Sequence, residues 1–348
     1  MNKRRKTRKI KVGNIYIGGN APVVVQSMTK TDTRDVAKTV EQILKLEEAG
    51  CQLIRCAVPD MKAAKALGKI KRKIHIPLAA DIHFDYKLAL EAVEQGVDKL
   101  RLNPGNITDK DKIKLIAKAC RKNKVPIRVG VNSGSLKKEI LKKYKGHVTA
   151  QGVVESAMEE IRILEKEGLK DIIVSLKISD VGKTVEAYKL LGKKCSYPFH
   201  IGITEAGPLF SGSIKSSVGI GILLYEGLGD TLRVSLTDDP VYEVKAGYKI
   251  LQSLGLSKKY PNIISCPTCG RCTVNIKRIV EKIEDKFSGR ELSATIAVMG
   301  CVVNGPGEAR EADFGVACGK REGVIFKKGK IIKTVKEKEI VNELARLL

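Results

Sequence analysis

The sequence predicts a TIM-type (β/α)8 barrel followed by a small α+β domain, and three observations carry that prediction. Eight short β-branched apolar runs recur between residues 22 and 237, each followed by a polar loop and a stretch of helical periodicity. A doubly wound open sheet usually has fewer such units, whereas closing a parallel barrel takes eight. After Gly255 the pattern stops, and the 348 residues leave room there for a second domain.

The predicted strands, in order, are "PVVVQSM" (22–28), "LIRCAV" (53–58), "IPLAADI" (76–82), "VDKLRLN" (97–103), "PIRVGVN" (126–132), "DIIVSLK" (171–177), "FHIGITE" (199–205) and "TLRVSLT" (231–237). Helical patterns follow, among them "DVAKTVEQILKLEEAG" (35–50), "DKIKLIAKACRKN" (111–123), "VVESAMEEIRILEKEG" (153–168) and "PVYEVKAGYKILQSLG" (240–255). Several close on the glycine that helix C-termini prefer. Residues 1–255 are therefore assigned to the barrel, and "LSKKYPNIIS" (256–265) to a linker. Residues 266–348 make the second domain: a cysteine motif, a helix in "TVNIKRIVEKIEDKFSG", a strand "TIAVMGC", a glycine-rich loop "VNGPGEAREADFG", strands around "GVIFKKGKIIKTV" and a final helix "EKEIVNELARLL".

The basic opening "MNKRRKTRKIKVG" has no apolar stretch behind it, and no apolar run is long enough to span a bilayer. A cytoplasmic protein with no membrane partner is expected. The net charge of +25 concentrates small anions as readily as nucleic acid. With no Trp and few aromatics, base-stacking platforms are scarce. "KRRKTRK" alone suits a basic arm, but no nucleic-acid reading motif accompanies it, so no nucleic-acid partner is expected.

In such a barrel the reactive groups sit where strands end and βα loops begin. Those positions hold Arg55, Asp81, His83, Arg101, Asn103, Arg128, Asn132, Lys177, Glu205, Arg233 and Ser235. One arginine there is an ordinary rim ion pair. Four arginines and a lysine on different strands, turned toward one another by closure, repel unless an anion is expected. Guanidinium forks match phosphate oxygens in pairs, so a doubly phosphorylated small molecule fits best. Glu205 is the candidate general acid and Asp81 its rival. "DIH" lacks the H-x-H pair of a barrel metallohydrolase, which leaves His83 a hydrogen-bonding role.

Of nine cysteines, Cys51, Cys56, Cys120 and Cys195 lie in apolar or helical surroundings and read as small buried hydrophobes. The ligand candidates are Cys266, Cys269, Cys272, Cys301 and Cys318. "SCPTCGRC" is not followed by the second tight pair that zinc sites use, and Ile276 stands where a ferredoxin repeat needs its fourth cysteine. A two-segment site remains, with Cys266 and Cys269 on one turn and Cys301 after a strand. Cys272, Cys318 and Glu308 compete for the fourth place.

"PVVVQSMT", "ADIHFDYKLAL", "RLNPGN", "GVNSGSL", "TEAG", "GLGDTLRVSLT", "SCPTCGR" and "MGCVVNGPGEA", in that order from about residue 8 to 345, resemble the bacterial 4-hydroxy-3-methylbut-2-enyl diphosphate synthase family of the methylerythritol phosphate route to isoprenoids. The resemblance implies reductive ring-opening of 2-C-methyl-D-erythritol 2,4-cyclodiphosphate, with loss of water, on a [4Fe-4S] cluster. It implies Cys266, Cys269, Cys301 and Glu308 as cluster ligands. Arg55, Arg101, Arg128, Asn132, Lys177, Arg233, Ser235 and Asn304 are the implied substrate contacts, and Glu205 the implied acid. Cys272 is left without a role, since the family motif needs only two thiols in that turn. The large inserted domain of plant-type members is missing.

No G-x-G-x-x-G fingerprint occurs in a βαβ context, so the electrons are expected from a ferredoxin or flavodoxin, acidic carriers that suit a basic surface. The last barrel helix runs back to the face opposite the reactive one. A ten-residue linker extends at most ~35 Å, which favours a head-to-tail homodimer whose partner supplies the cluster.

Overall fold

The computed structural model describes residues 1–83, 85–102, 109–272, 274–287, 292–301 and 310–347. It divides into two compact units, Met1–Leu254 and Gly255–Leu348.

The first unit opens with a hairpin, β1 (Ile10–Val12) and β2 (Ile15–Ile17), paired antiparallel. Strands β3 (Val24–Met28), β4 (Leu53–Ala57), β5 (Leu78–Ile82), β6 (Lys99–Leu102), β7 (Ile127–Asn132), β8 (Ile172–Lys177), β9 (His200–Ile201) and β10 (Thr231–Leu232) follow. All eight sequence-predicted strands are present. Sheet order β8-β7-β6-β5-β4-β3-β10-β9 is parallel throughout, and a Val174–Phe199 bridge brings the ends round to a nearly closed barrel. The last two strands are shorter than the runs at 199–205 and 231–237 suggest. At Gly202 a Cβ would lie 2.5 Å from the Arg233 carbonyl, so the backbones approach closely just beyond the ladder.

The helices are α1 (Val36–Glu48), α2 (Met61–Lys71), α3 (Tyr86–Glu94), α4 (Lys110–Asn123), α5 (Lys138–Lys143), α6 (Ala150–Lys166), α7 (Val181–Gly192), α8 (Leu209–Tyr225) and α9 (Pro240–Ser253). Asp35, Asp60, Asp85, Asp109, Asp180 and Asp239 each accept a hydrogen bond from a first-turn amide. Such caps stabilise by about 1 kcal/mol apiece and fix where each βα loop ends.

Ile10, Val12 and Ile17 pack with Val24, Leu53, Ala79 and Ile173 from the early parts of four strands, so the hairpin plugs the N-terminal end of the barrel. The basic segment before it is not a basic arm. Arg4 pairs with buried Asp230 at 3.0 Å, and Arg5 stacks 3.9 Å over Phe199 while donating to the Cys195 carbonyl. Desolvation lowers the Arg5 pKa from its usual value. A carboxylate for Arg4, and carbonyls and a ring face for Arg5, make docking these arginines cheaper than composition suggests.

The second unit holds β11 (Asn262–Ser265), α10 (Ile276–Lys286), β12 (Thr295–Met299), β13 (Phe314–Gly319), β14 (Glu322–Lys327), β15 (Lys330–Lys336) and α11 (Ile340–Leu347). Its sheet runs β11-β12-β13-β14-β15, parallel for the first three and antiparallel thereafter. The stretch 256–265, linker-like in composition, thus ends in a sheet strand, and the loop-like "DFG" opens another. Ile276, Ile279, Ile283, Ile340 and Leu344 bury the apolar faces of α10 and α11 against Val298, Val316 and Ile325 of the sheet. Among the described residues no helix is long and apolar enough to cross a membrane.

Candidate active site

Polarity changes along the barrel axis. Above the apolar plug, buried Lys99 donates to Gln26 at 3.0 Å, and buried His200 lies 3.4 Å from Thr231. Because side chains alternate along a strand, Lys99 and Arg101 share the inner face of β6. Arg101 stands opposite Arg128 of β7 on one side and Asp81 of β5 on the other. Gly130 makes room for it, since a Cβ there would meet Arg101 Nε at 2.9 Å.

Asp81 is a buried carboxylate held by three neighbours. Arg101 Nη1 donates to it at 2.8 Å, Arg55 Nε lies at 3.5 Å, and His83 Nε2 at 3.5 Å. Burial alone would raise its pKa, but Arg55, His83 and Arg101 outweigh that and hold it well below the usual carboxylate range. It is therefore a poor proton donor and a good counterion.

One carboxylate does not balance its surroundings. Arg55, Arg101, Arg128 and Lys99 are all buried. Desolvation lowers Arg128 well below its ordinary pKa, with Arg55 and Arg101 adding repulsion. It takes Arg55 down to about 10 and Lys177, again with the arginines adding, down to about 5. Among the described residues, the buried Nε, Nη1 and Nη2 of Arg128, Nε and Nη2 of Arg101 and Nη1 of Arg55 have no hydrogen-bond partner. Burying unmatched guanidinium donors costs several kcal/mol, about the size of a domain's whole margin of stability. The arrangement suits a polyanion that supplies the missing acceptors.

Arg233 is differently placed. Its Nε and Nη2 lie 3.3 Å from the carboxylate of Glu243 on α9, which also accepts from Ser27 and from the Leu236 amide. A small cavity of about 40 Å³ is lined by Arg55, Ser175, Lys177, His200, Arg233 and Ser235, among others. Asn132 stands opposite Lys177 at the ends of β7 and β8. Glu205 lies past β9, exposed, with a left-handed backbone at φ 52°. It does not line the cavity. Asn103, Asn304 and Glu308 fall outside the described residues.

Sequence reasoning passed over Lys99, His200, Met28 and Glu243. Met28 Sδ sits 2.9 Å from Arg55 Nη2, a soft contact in place of an acceptor. For Lys99 the signal was available, two positions before Arg101 in "KLRL".

In the second unit, parallel pairing of β11 with β12 puts Ser265 opposite Val298, so Cys266 and Cys301 follow neighbouring strand ends on one edge of the sheet. The Gly300 amide donates to Cys266 Sγ at 3.2 Å. Cys269 is exposed on the same turn, and its carbonyl accepts from the Cys272 amide. Cys272 is half-buried, its thiol 3.1 Å from the Val274 carbonyl and, like Cys266, packed against the core. Cys318 is buried in β13, and burial pushes its thiol up to about 12. Cys51, Cys56 and Cys120 are buried among apolar groups, as composition suggests. Among the described residues no three His, Cys, Asp or Glu side chains converge on a point fit for a single ion. A metal cube instead takes ligands spread around its corners, and soft thiolates suit iron-sulfur chemistry best. Cys266, Cys269 and Cys301 fit such a group.

Comparison with known proteins agrees with both halves. A family model described as the GcpE TIM-barrel domain matches residues 7–248, and the GcpE protein C-terminal domain matches residues 262–348. A curated protein of Caldanaerobacter subterraneus subsp. tengcongensis named 4-hydroxy-3-methylbut-2-en-1-yl diphosphate synthase (flavodoxin) is 58% identical, covering 99% of this chain and 96% of its own. Proteins of the same name from Geobacter sulfurreducens (58%, covering 97% and 96%) and Thermodesulfovibrio yellowstonii (59%, covering 99% and 98%) are equally similar. Among solved structures, dihydropteroate synthase of Stenotrophomonas maltophilia superposes with a TM-score of 0.52 at 14% identity, over 72% of this chain and 98% of that one. That likeness concerns the barrel fold alone. Two matched domains and near-complete alignment with these synthases make the chain a member of the GcpE family, the 4-hydroxy-3-methylbut-2-en-1-yl diphosphate synthases, which are oxidoreductases.

Proposed function

We propose that this chain converts 2-C-methyl-D-erythritol 2,4-cyclodiphosphate to 4-hydroxy-3-methylbut-2-enyl diphosphate, consuming two electrons and two protons and releasing water. The observation that carries this reading is the set of buried arginine donors on Arg128, Arg101 and Arg55 that have no acceptor among the described residues. A cyclic diphosphate has oxygens enough to take them, and a neutral substrate does not.

Arg55, Arg101, Arg128, Lys177 and Arg233 clamp the two phosphoryl groups, while Ser235, Asn132 and Asn304 orient the carbon skeleton. Asp81 stays ionised and keeps the arginines in register. Glu205, exposed at the barrel's reactive end, gives its carboxyl proton to the departing oxygen; its left-handed backbone supports that role, since such conformations concentrate at functional sites. Cys266, Cys269, Cys301 and Glu308 would hold a [4Fe-4S] cluster, which when bound supplies the electrons one at a time. Flavodoxin is the proposed donor, following the relatives' printed name. Unbridged thiols need a reducing compartment, so the reaction is placed in the cytoplasm.

The working unit is proposed to be a head-to-tail homodimer, each barrel receiving electrons through its partner. An apolar stripe on α8 supports it. Phe210, Ile214, Val218 and Ile222 recur every four residues and are 81%, 51%, 50% and 41% exposed. A self-complementary stripe of that kind is buried by a second copy about a two-fold axis.

Anaerobic iron and sulfide analysis tests the cofactor assignment. Brown protein with about four irons and four sulfides per chain is expected. Colourless protein holding one zinc ion would overturn it.

A further inference from the structure

We infer that the cationic groove between α10 and α11 is the landing surface for a reduced flavodoxin, an inference that rests on the reaction proposed above. The groove, of about 860 Å³, is lined by Arg278, Lys282 and Lys286 on α10 and by Arg321, Lys336 and Lys338 across from it. Asp285 and Glu337 are its lining carboxylates. Among the described residues none of the six cations is in an ion pair, whereas Lys277 on the same helix pairs with Glu281 at 3.8 Å. Six cations against two carboxylates leave the groove strongly positive, and an acidic partner relieves that repulsion. Ile279 and Val341 add an apolar floor.

Position selects an electron carrier among acidic partners. The N-cap of α10, Asn275, lies three residues past Cys272, and Ile276 packs against Gly300, the residue just before Cys301. The groove thus begins beside the thiols assigned to the redox group. An 11-residue helix is about 16 Å long, so a protein lying along it keeps an edge near those thiols. Nucleic acid gains nothing from that proximity, and no aromatic side chain lines the groove for stacking. Each docking oxidises the carrier by one electron, and two dockings supply the two electrons that reduce one substrate molecule.

The test is steady-state turnover of the cyclodiphosphate by the cluster-loaded enzyme, driven either by purified reduced flavodoxin or by dithionite-reduced methyl viologen. The variants are Lys282→Glu with Lys286→Glu, and Arg278→Glu with Lys338→Glu. The expected result is a KM for flavodoxin raised about tenfold or more and a flatter salt dependence, with viologen-driven turnover within about twofold of the parent. An unchanged flavodoxin KM overturns the assignment, as does an equal loss with viologen, which marks the groove as structural. Binding of a 20-base-pair duplex by the parent, lost in variants whose flavodoxin KM is intact, overturns it in favour of nucleic acid. Failure of the parent enzyme with both reductants refutes the reaction instead, and the docking inference with it.

Discussion

Arg101 and Arg128 stand opposite each other across the parallel β6–β7 pair, both fully buried, and they are treated unequally: Arg101 meets Asp81 at 2.8 Å, while among the described residues none of the three side-chain nitrogens of Arg128 has an acceptor. A fully desolvated guanidinium beside a like charge is a liability to the ligand-free fold. Its presence makes sense when substrate completes it.

Arg128→Met is therefore expected to stabilise the ligand-free protein by about 1–4 kcal/mol in urea unfolding, because an apolar side chain of similar volume removes the buried charge. The same variant should lose most of the stabilisation that saturating pyrophosphate gives the parent, which at a hundred times Kd is about 2.7 kcal/mol. A destabilised variant that keeps its pyrophosphate response would contradict this account of Arg128.

Asp81→Asn should act oppositely. It strips the counterion from Arg55 and Arg101 and is expected to cost about 3–5 kcal/mol of stability. Pyrophosphate should recover part of that loss, and unfolding curves with and without it measure how much.

Much of this was legible in the sequence. Eight β-branched runs sufficed for the barrel, because inner and outer faces of a buried parallel strand are both apolar enough to stand out. The arginine ring was legible because strand ends in such a barrel share one rim. Lys99 and His200 escaped because a charged or polar residue within an apolar run reads as exposed until closure makes that face interior. Glu243 escaped because it reaches Arg233 from α9, outside the strand ends where reactive groups were sought. The docked Arg4 and Arg5 were hidden by their composition, since nothing local announces a carbonyl or ring face elsewhere in the chain. Strand β11 was missed because its partner, β12, lies some thirty residues further along the chain.

Stability of the ligand-free protein should rise with pH just above neutrality. Burial, with the arginines adding, takes Lys177 from 10.5 to about 5, so between those values the unfolded chain binds a proton that the fold refuses, and stability grows as pH rises. Lys99, also lowered, contributes with the same sign. Glu160 opposes them only lower down: burial raises it to about 7, so its contribution falls with rising pH between 4.5 and about 7 and is finished above that. Measured from about pH 7.5 to 8.5, the slope for Lys177 is at most about 1.4 kcal/mol per unit. Lys177→Met or bound pyrophosphate should flatten it.

In the second unit, Cys272→Ala should leave iron and sulfide content near that of the parent, because the thiol faces the Val274 carbonyl and the core. Cys266→Ala, Cys269→Ala and Glu308→Ala should each lower it. The opposite ranking would overturn the ligand assignment.

If the proposed dimer forms through α8, Phe210→Glu combined with Ile214→Glu should give a monomer in sedimentation, and turnover at dilute enzyme should fall with it. The barrel itself should stay folded, since both side chains are exposed.

The most direct measurement is phosphorus NMR of 2-C-methyl-D-erythritol 2,4-cyclodiphosphate mixed anaerobically with the cluster-loaded enzyme and reduced flavodoxin. The account predicts that the cyclic diphosphate resonances give way to those of a linear diphosphate, with two electrons consumed per molecule, and that the Arg128→Met enzyme shows at most about a hundredth of the parent rate. Unchanged cyclic resonances with the parent enzyme, or full conversion by the variant, would contradict it.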